Sequence, residues 1–539
     1  MGLAPAAHRP LSLHPGRTLG PMRTPLLFLA SLLSPFWLQA QIDGDNIFSI
    51  DQVISVNLDF PQANFWTQLQ DNYNADQNEY IVAFLTLTDV SGTHAIDSVG
   101  VRLKGNSSYS HPGTKKSFKI DFNKYISGQN YDGLKKLNFS NGFKDPSCMR
   151  EKLFFDVCRE ANVPAPRASF AEVTFNGEPW GFYTVVEQID DQFLDWNILE
   201  DDGNLFKAGD NFGGGPPGAG GNTTAANLVY YGEDQASYED RYELKSNEDL
   251  NDWSDLISLL DFVNNTDNAA FEAGIDFRIE VDAFLRSAAM DMLFSNLDTY
   301  TGSARNYYLY HNQDTNLWEW IKWDANEAFG SYTNGAGNME TLALDYCDAP
   351  RPLLQRMLDD PDLYQRYLQQ VCYLTAYFFN EAYLHARIDE VRDLIAPSVY
   401  ADDNKMYSSA DFNTNIEADL SGGGPGPMGG QTYGLKPFVT NRAAYIAGEL
   451  DCSNLSIRDE RAPEWTVFPN PASQRVTVVG STAYSANLTL RNALGQTVRT
   501  VNTEGTSEFT LDLQGLSQGV YFLDIASRGA LHHQRLLVD

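Results

Sequence analysis

The sequence predicts an α+β protein that closes on a small antiparallel β-sandwich. Three observations carry the prediction. Residues 48–125 read as strands between turns rich in Asp, Asn, Ser and Gly, helical periodicity runs through roughly 249–297, 351–396 and 436–450, and residues 465–539 hold only short alternating strands. A chain of 539 residues exceeds one ordinary core and reads as two or three domains. The expected division is a targeting region over 1–40, a central domain over 45–452 and a β-domain over 465–539.

The targeting region rests on Met22-Arg23-Thr24 followed by PLLFLASLLSPFWLQA, a short charged start, an apolar run and small residues before Gln41. Cleavage is expected near Ala40–Gln41. The run is too short, and too interrupted by Pro35, for a stable membrane span, and no second long apolar run follows. The strands of the central domain are ISVNLDF, YIVAFLTLTD, DSVGVRLKG and SFKIDF, then ASFAEVTFN and GFYTVVEQID joined by the hairpin signal Asn176-Gly177. Between them Asp145-Pro146 offers a cap and first turn for the helix MREKLFFDVCREA. A hairpin is expected over 306–323, and Gly/Pro loops over 211–222 and 421–430. The tail strands are QRVTVVG, ANLTLRN, QTVRTVN, SEFTLDL, GVYFLDI and QRLLVD.

Composition excludes several functions. Acidic residues number 71 against 38 basic, a formal charge of −33, which argues against nucleic acid as a partner because phosphate backbones need a clustered basic footprint. The five cysteines form no CxxC or Cys/His cluster, so a zinc site is not expected. Export permits disulfides. Cys347 with Cys372 is one pairing, and free buried cysteines are the alternative. There is no HExxH and no G-x-S-x-G, and acidic runs such as DGDN miss the calcium-loop spacing.

The tail carries VFPNPAS at 467–473, LRNALGQTVRT at 490–500 and LDLQGLSQGVYFLDI at 511–525. As a set these resemble the C-terminal sorting domain of type IX secretion in Bacteroidota. The resemblance implies that the type IX machinery is a partner, and that the protein is released outside the cell or anchored at its surface. The family often ends in basic residues, whereas this chain ends in Asp539.

Four central stretches line up in order. They are VRLKGNSSYSHPGTKKSFKIDF at 101–122, LKKLNFSNGFKDPSCMREKLFFDV at 134–157, PAPRASFAEVTFNGEPWGFYTVVEQIDDQFL at 164–194 and LDTYTGSARNYYLYHNQDTNLWEWIKWDANEAFG at 297–330. Together they resemble the CotH family of spore-coat-type kinases, over roughly residues 50–450. The resemblance implies an atypical protein-kinase-like fold, with ATP and Mg2+ or another divalent cation as cofactors and an unidentified acceptor protein as partner. It places Asp324 on the metal, Asp298 as the catalytic aspartate that orients the acceptor hydroxyl, and Asn306 on the metal as well. The sequence departs from the kinase pattern in two ways. Ala325-Asn326 follows Asp324 where Phe-Gly would stand, and Asp298 and Asn306 lie eight residues apart rather than five.

The chemistry fits those residue types. Phosphoryl transfer asks the protein for cations around the phosphates and carboxylates or amides around the metal. A kinase site also pairs a strand lysine with a helix carboxylate. Lys116 and Lys119 are both open for the lysine, and Glu151 is the carboxylate. Arg102 and Lys104 add charge at the 102–108 turn, and Glu187 matches the segment that passes the adenine. On residues alone each has a plainer role: a turn or cap for the aspartates and Asn306, a solvated strand face for the lysines. The rival class is a non-catalytic, pseudokinase-like scaffold or adhesin. In that reading Trp318, Trp320 and Trp323 are core packing or a glycan-stacking surface, although Trp323 falls on the opposite strand face.

Overall fold

A computed structural model describes residues 42–75, 79–209, 225–421, 432–453 and most of 465–538. The targeting region, the 211–222 loop and nearly all of the 421–430 loop lie outside the described residues. Among those described, no helix is long and apolar enough to cross a membrane.

Seven strands close a barrel: β1 (Val53–Asp59), β2 (Ile81–Asp89), β3 (Gly92–Leu103), β4 (Phe118–Asp121), β5 (Lys136–Ser140), β6 (Ala168–Phe175) and β7 (Glu178–Glu187), in the order β1-β2-β3-β4-β5-β7-β6. All pairs are antiparallel except β1 with β6, which runs parallel and closes the ring. Alternation explains the barrel. Val56, Leu58, Leu85, Leu87, Val101, Phe118, Ile120, Phe139 and Val185 point inward and are buried together. The Asn176-Gly177 turn has φ of 53° and 79°, the doubly left-handed hairpin that Asn-Gly favours. Strand β5, not expected from sequence, fills the place between β4 and β7.

Helices α1 (Asp45–Phe48), α2 (Phe65–Asn74), α3 (Arg150–Glu160) and α4 (Asp191–Asn197) are set between the strands. The start of α3 differs from the expected cap at Asp145, for the helix begins at Arg150. Asp145 instead accepts from the Ser147 and Arg150 N–H groups, at 3.0 and 2.8 Å, and from the Arg150 guanidinium at 2.6 Å. That ion pair holds the aspartate back from the helix by one turn.

The second half is helical around a four-stranded antiparallel sheet, β11-β10-β8-β9, formed by β8 (Asn204–Ala208), β9 (Tyr242–Leu244), β10 (Tyr307–Asn312) and β11 (Leu317–Lys322). Its helices are α5 (Ser254–Asn265), α6 (Asn268–Gly274), α7 (Val281–Leu293), α8 (Pro352–Asp359), α9 (Pro361–Tyr377), α10 (Glu381–Ala401), α11 (Ser409–Glu417) and α12 (Leu435–Glu449). Trp318 and Trp320 are buried against Phe206, Phe284, Tyr300 and Tyr307, so they are core and not a glycan-stacking surface.

The cysteine pairing is corrected. Cys372 on α9 joins Cys452, just beyond α12, with Cα atoms 5.6 Å apart, and Cys347 is free. Chain spacing could not reveal that the end of α12 returns to α9.

The tail is a five-stranded antiparallel sheet of β12 (Trp465–Phe468), β13 (Arg475–Asn492), β14 (Thr497–Asp512), β15 (Gly519–Ser527) and β16 (Ala530–Val538). Two expected strand pairs merge into the long strands β13 and β14, whose pairing passes through register shifts instead of breaking.

Candidate functional site

The outer faces of β3, β4 and β5 form one wall of a cavity of about 940 Å³, and β8, β9 and β10 supply much of the opposite wall. Strand parity builds that wall. Val101 and Leu103 point into the barrel, so Arg102 and Lys104 point out, and Lys119 follows the same rule between Phe118 and Ile120. A smaller recess of about 60 Å³ shares Lys104, Gly105, Trp323 and Asp324 with the large cavity and adds Glu151, Asn141 and Asn326.

Lys104, rather than the expected Lys116 or Lys119, is the lysine that shares this recess with the helix carboxylate Glu151. Its ammonium donates to Asn138 Oδ1 at 3.2 Å and lies 5.2 Å from the Trp323 ring. Burial pulls its pKa down to about 8, against the pull of Asp324 and Glu151. Glu151, in the first turn of α3, is 5% exposed. Burial and then Asp324 push its carboxyl up to about 8, against Lys104. The folded carboxyl thus holds its proton toward pH 8, whereas an unperturbed one releases it near 4.5. The native state binds the extra proton across that window, so this group's contribution to stability falls as pH rises through it. Glu151→Gln is expected to raise the melting temperature at pH 8 and to leave it close to wild type at pH 5. Thermal melts at both values check this, and equal shifts would oppose it.

Asp324 follows β11 after Trp323, in the left-handed region at φ 53°. Aspartate tolerates that backbone, and such conformations concentrate at functional sites. Asn306 lines the large cavity just before β10, also left-handed at φ 59°. Its amide donates to the Asp298 carbonyl at 2.8 Å and to Asp298 Oδ2 at 3.1 Å. Asp298 Oδ1 accepts from the Ser303 hydroxyl at 2.8 Å. Asp298 therefore sits at the cavity margin, coupled to it through Asn306.

Glu327, which the sequence reading passed over, ties these parts together. It is 4% exposed and chelated by Lys144 through two 2.9 Å contacts. Burial, then Asp298, push its carboxyl up to about 7, with Asp324 adding to the effect and Lys144 opposing it. The loop after β5 is thereby tied to the loop after β11, with Asn326 Nδ2 donating to the Phe143 carbonyl at 2.9 Å.

The remaining sequence-derived residues divide. Arg102 and Lys119 line the large cavity. Lys116 lines neither cavity. Its ammonium donates to the Tyr109 carbonyl at 2.6 Å and to that of His111, holding the 105–113 loop. Glu187 is likewise absent from both cavities. It is held by Arg167 at 2.5 Å and by Trp196 Nε1 at 3.0 Å, and the neighbouring Gln188 faces the cavity instead. Among the described residues no group of three or more His, Cys, Asp or Glu forms a metal cage. A magnesium site completed by phosphates does not need one, because one or two carboxylates suffice.

Residues 101–446 match the model of the CotH kinase protein family, and the chain belongs to that family. Residues 466–539 match the secretion system C-terminal sorting domain, which implies the type IX machinery and export to the outer membrane or cell surface. The inner spore coat protein H of Bacillus subtilis is 29% identical over 341 residues, 62% of this chain and 83% of that protein. Invasin CotH2 of Rhizopus delemar is 20% identical over 413 residues, 72% of this chain and 66% of the invasin. Invasin CotH3 of the same fungus is 21% identical over 337 residues, 58% of this chain and 53% of its own length.

Proposed function

We propose that this chain is an exported, protein-kinase-like phosphotransferase. It moves the γ-phosphate of ATP to a Ser/Thr-type hydroxyl of an acceptor protein, using Mg2+ or another divalent cation. The observation that carries the reading is the meeting of Lys104, Glu151 and Asp324 in one recess, with Asn306 beside it and Asp298 behind Asn306.

The donor set suits a hard cation. Asp324 offers a carboxylate. Asn306 uses its amide nitrogen on Asp298, which turns its carboxamide oxygen away as a second neutral ligand. When bound, the cation spreads the charge of the phosphates. Lys104 adds a fixed positive charge to the phosphates, and Glu151 and Asn138 hold that lysine in place. Asp298 orients the acceptor hydroxyl and takes its proton. The Lys144–Glu327 tie keeps the aspartate loops in register with the barrel.

The name of the family supports this reading. Two fungal relatives bear the name invasin, which favours a second reading, a surface protein that acts by adhesion without chemistry. Nucleotide binding separates them. In thermal shift on the chain from Gln41 onward, ATP with Mg2+ at about 100 times its Kd should stabilise wild type by about 2.7 kcal/mol. Asp324→Ala should remove most of that gain. A wild type that ignores ATP under magnesium, manganese and calcium would point to the adhesive reading.

A further inference from the structure

The recess is braced from behind by one helix. α12 and the segment before it touch the elements that carry Glu151, Asp324 and Asp298. The Tyr433 carbonyl accepts from Arg150, the neighbour of Glu151 on α3, at 2.7 Å. Phe438 packs on Phe329, in the loop that follows Asp324. The Phe438 and Tyr433 rings stand 3.0 and 3.1 Å from where a Cβ on Gly330 would lie. Arg442 donates to the Met292 carbonyl at 2.8 Å and to that of Leu342 at 2.5 Å. Met292 is at the end of α7, on the way to Asp298, and Phe294 just beyond it packs on Phe154 of α3 and on Phe329.

This brace is poorly anchored at its far end. Its buried apolar residues are Leu435, Phe438, Val439 and Ile446, three of them in its first five positions. Ala447, Gly448 and Glu449 are exposed, and a glycine weakens a helix interior. Arg442 has no solvent exposure and, among the described residues, only carbonyl oxygens as hydrogen-bond partners and no carboxylate. A guanidinium so placed is held out of water at a cost, and burial pulls its pKa down to about 10. The brace therefore needs its end held. One covalent bond holds it, for Cys452, three residues beyond α12, is joined to Cys372 on α9. α9 is in turn tied to α7, where Arg286 donates to Gln370 at 2.7 Å.

We propose that the Cys372–Cys452 bridge is a redox latch: it fastens α12 in oxidising surroundings, and its reduction loosens the recess that holds Lys104, Glu151 and Asp324. As regulation of catalysis the inference rests on the phosphotransferase reading; as a statement about the fold it does not. Cys372 is 1% exposed and Cys452 is half-buried, so an attacking thiolate reaches the Cys452 sulfur. The Cys372 sulfur leaves as a thiolate and takes a proton. The second thiol of a dithiol then displaces the mixed disulfide from Cys452, leaving two protein thiols and a cyclic disulfide. Closing runs in reverse, with two electrons and two protons passing from the thiols to a disulfide oxidant. The reducing thiol pools inside cells keep the latch open, and export to the outer membrane or cell surface takes the chain where it closes.

The test is amide hydrogen exchange of the chain from Gln41 onward, oxidised and after reduction by dithiothreitol. Exchange over 290–298, 324–330 and 435–450 is expected to quicken about tenfold or more on reduction, while β1, β2 and β6 stay unchanged. Glutathione disulfide should restore the slow pattern. A rise confined to 445–452 and the surroundings of Cys372 would overturn the proposal, because the bridge would then staple one helix end. So would an equal rise along the whole chain, the mark of general stabilisation. Cys347→Ser, at a free thiol, should keep the redox response. The double variant Cys372→Ser, Cys452→Ser should show the loosened pattern without reductant; if it does not fold, reduction and reoxidation of wild type decide. ATP with Mg2+ is expected to raise the melting temperature of the oxidised chain and not of the reduced one, and equal gains in both states overturn the latch. An oxidised chain that ignores ATP sinks the phosphotransferase reading instead, and the exchange pattern still decides the latch.

Discussion

Replacing Arg150 by methionine is expected to lower the free energy of unfolding by about 3–5 kcal/mol, the cost of breaking a buried ion pair from one side. Arg150 has no solvent exposure, and Asp145 has 3%. One arm of the guanidinium donates to Asp145 Oδ1 at 2.6 Å and to the Ser147 hydroxyl at 3.1 Å. The other donates to Asn415 Oδ1 at 2.8 Å and to the Tyr433 carbonyl at 2.7 Å. It thus joins the start of α3 to α11 and to the segment before α12. Methionine fills much of the volume but leaves Asp145 charged, dry and without its main partner. Urea denaturation of Arg150→Met, Asp145→Asn and the double variant measures this. The double variant should cost less than the two singles added, because no lone charge remains. A loss below 1 kcal/mol for Arg150→Met would mean that water reaches Asp145. Because Glu151 is the next residue, the variant should also weaken nucleotide-dependent stabilisation.

How much of this was legible in the sequence depends on the range of the interactions involved. Alternation in YIVAFLTLTD or ASFAEVTFN is local, and those strands appear where expected. The hairpin before Asp324 was equally clear, because both its strands and its turn lie within 306–323. KLNFS, which became β5, is too short to show a period, and only its neighbours β4 and β7 make it a strand. The same limit applied to the site. Lys116 and Lys119 were weighed for the strand lysine, yet Lys104 is the one that shares a recess with Glu151 and Asp324, and the loop from 104 to 117 turns Lys116 back onto its own carbonyls. Strand parity did contain the signal, since Arg102, Lys104 and Lys119 share the face opposite Val101, Leu103, Phe118 and Ile120. Glu327 and Lys144 are 183 residues apart, and no local pattern marks them as partners. The Cys372–Cys452 bridge, across 80 residues, was hidden for the same reason.

Asp298→Ala should reduce phosphotransfer by about 10²–10⁴-fold, the usual contribution of a positioned general base, while nucleotide binding stays within a few-fold of wild type. The split follows from where the carboxylate sits. Asp298 touches neither wall of the cavity. It is reached through Asn306, whose amide keeps the Asp298 carbonyl as an acceptor at 2.8 Å even when the side chain is gone. Asn306 and Asp324 therefore remain as the proposed ligands of the cation, and what is lost is the carboxylate proposed as the base. Asp298→Asn is the sharper variant. It keeps the size but sets an amide against the Ser303 hydroxyl and the Asn306 amide, both donors at 2.8 and 3.1 Å to the native carboxylate. It should lose the same turnover and also loosen Asn306, so its magnesium-dependent nucleotide shift should be smaller than that of Asp298→Ala. Turnover on the acceptor and thermal shift with ATP and Mg2+, run on both variants, separate the roles. If Asp298→Ala keeps full turnover, the base lies elsewhere, and Glu327, whose carboxyl is pushed up to about 7 by burial and by Asp298, becomes the residue to replace next.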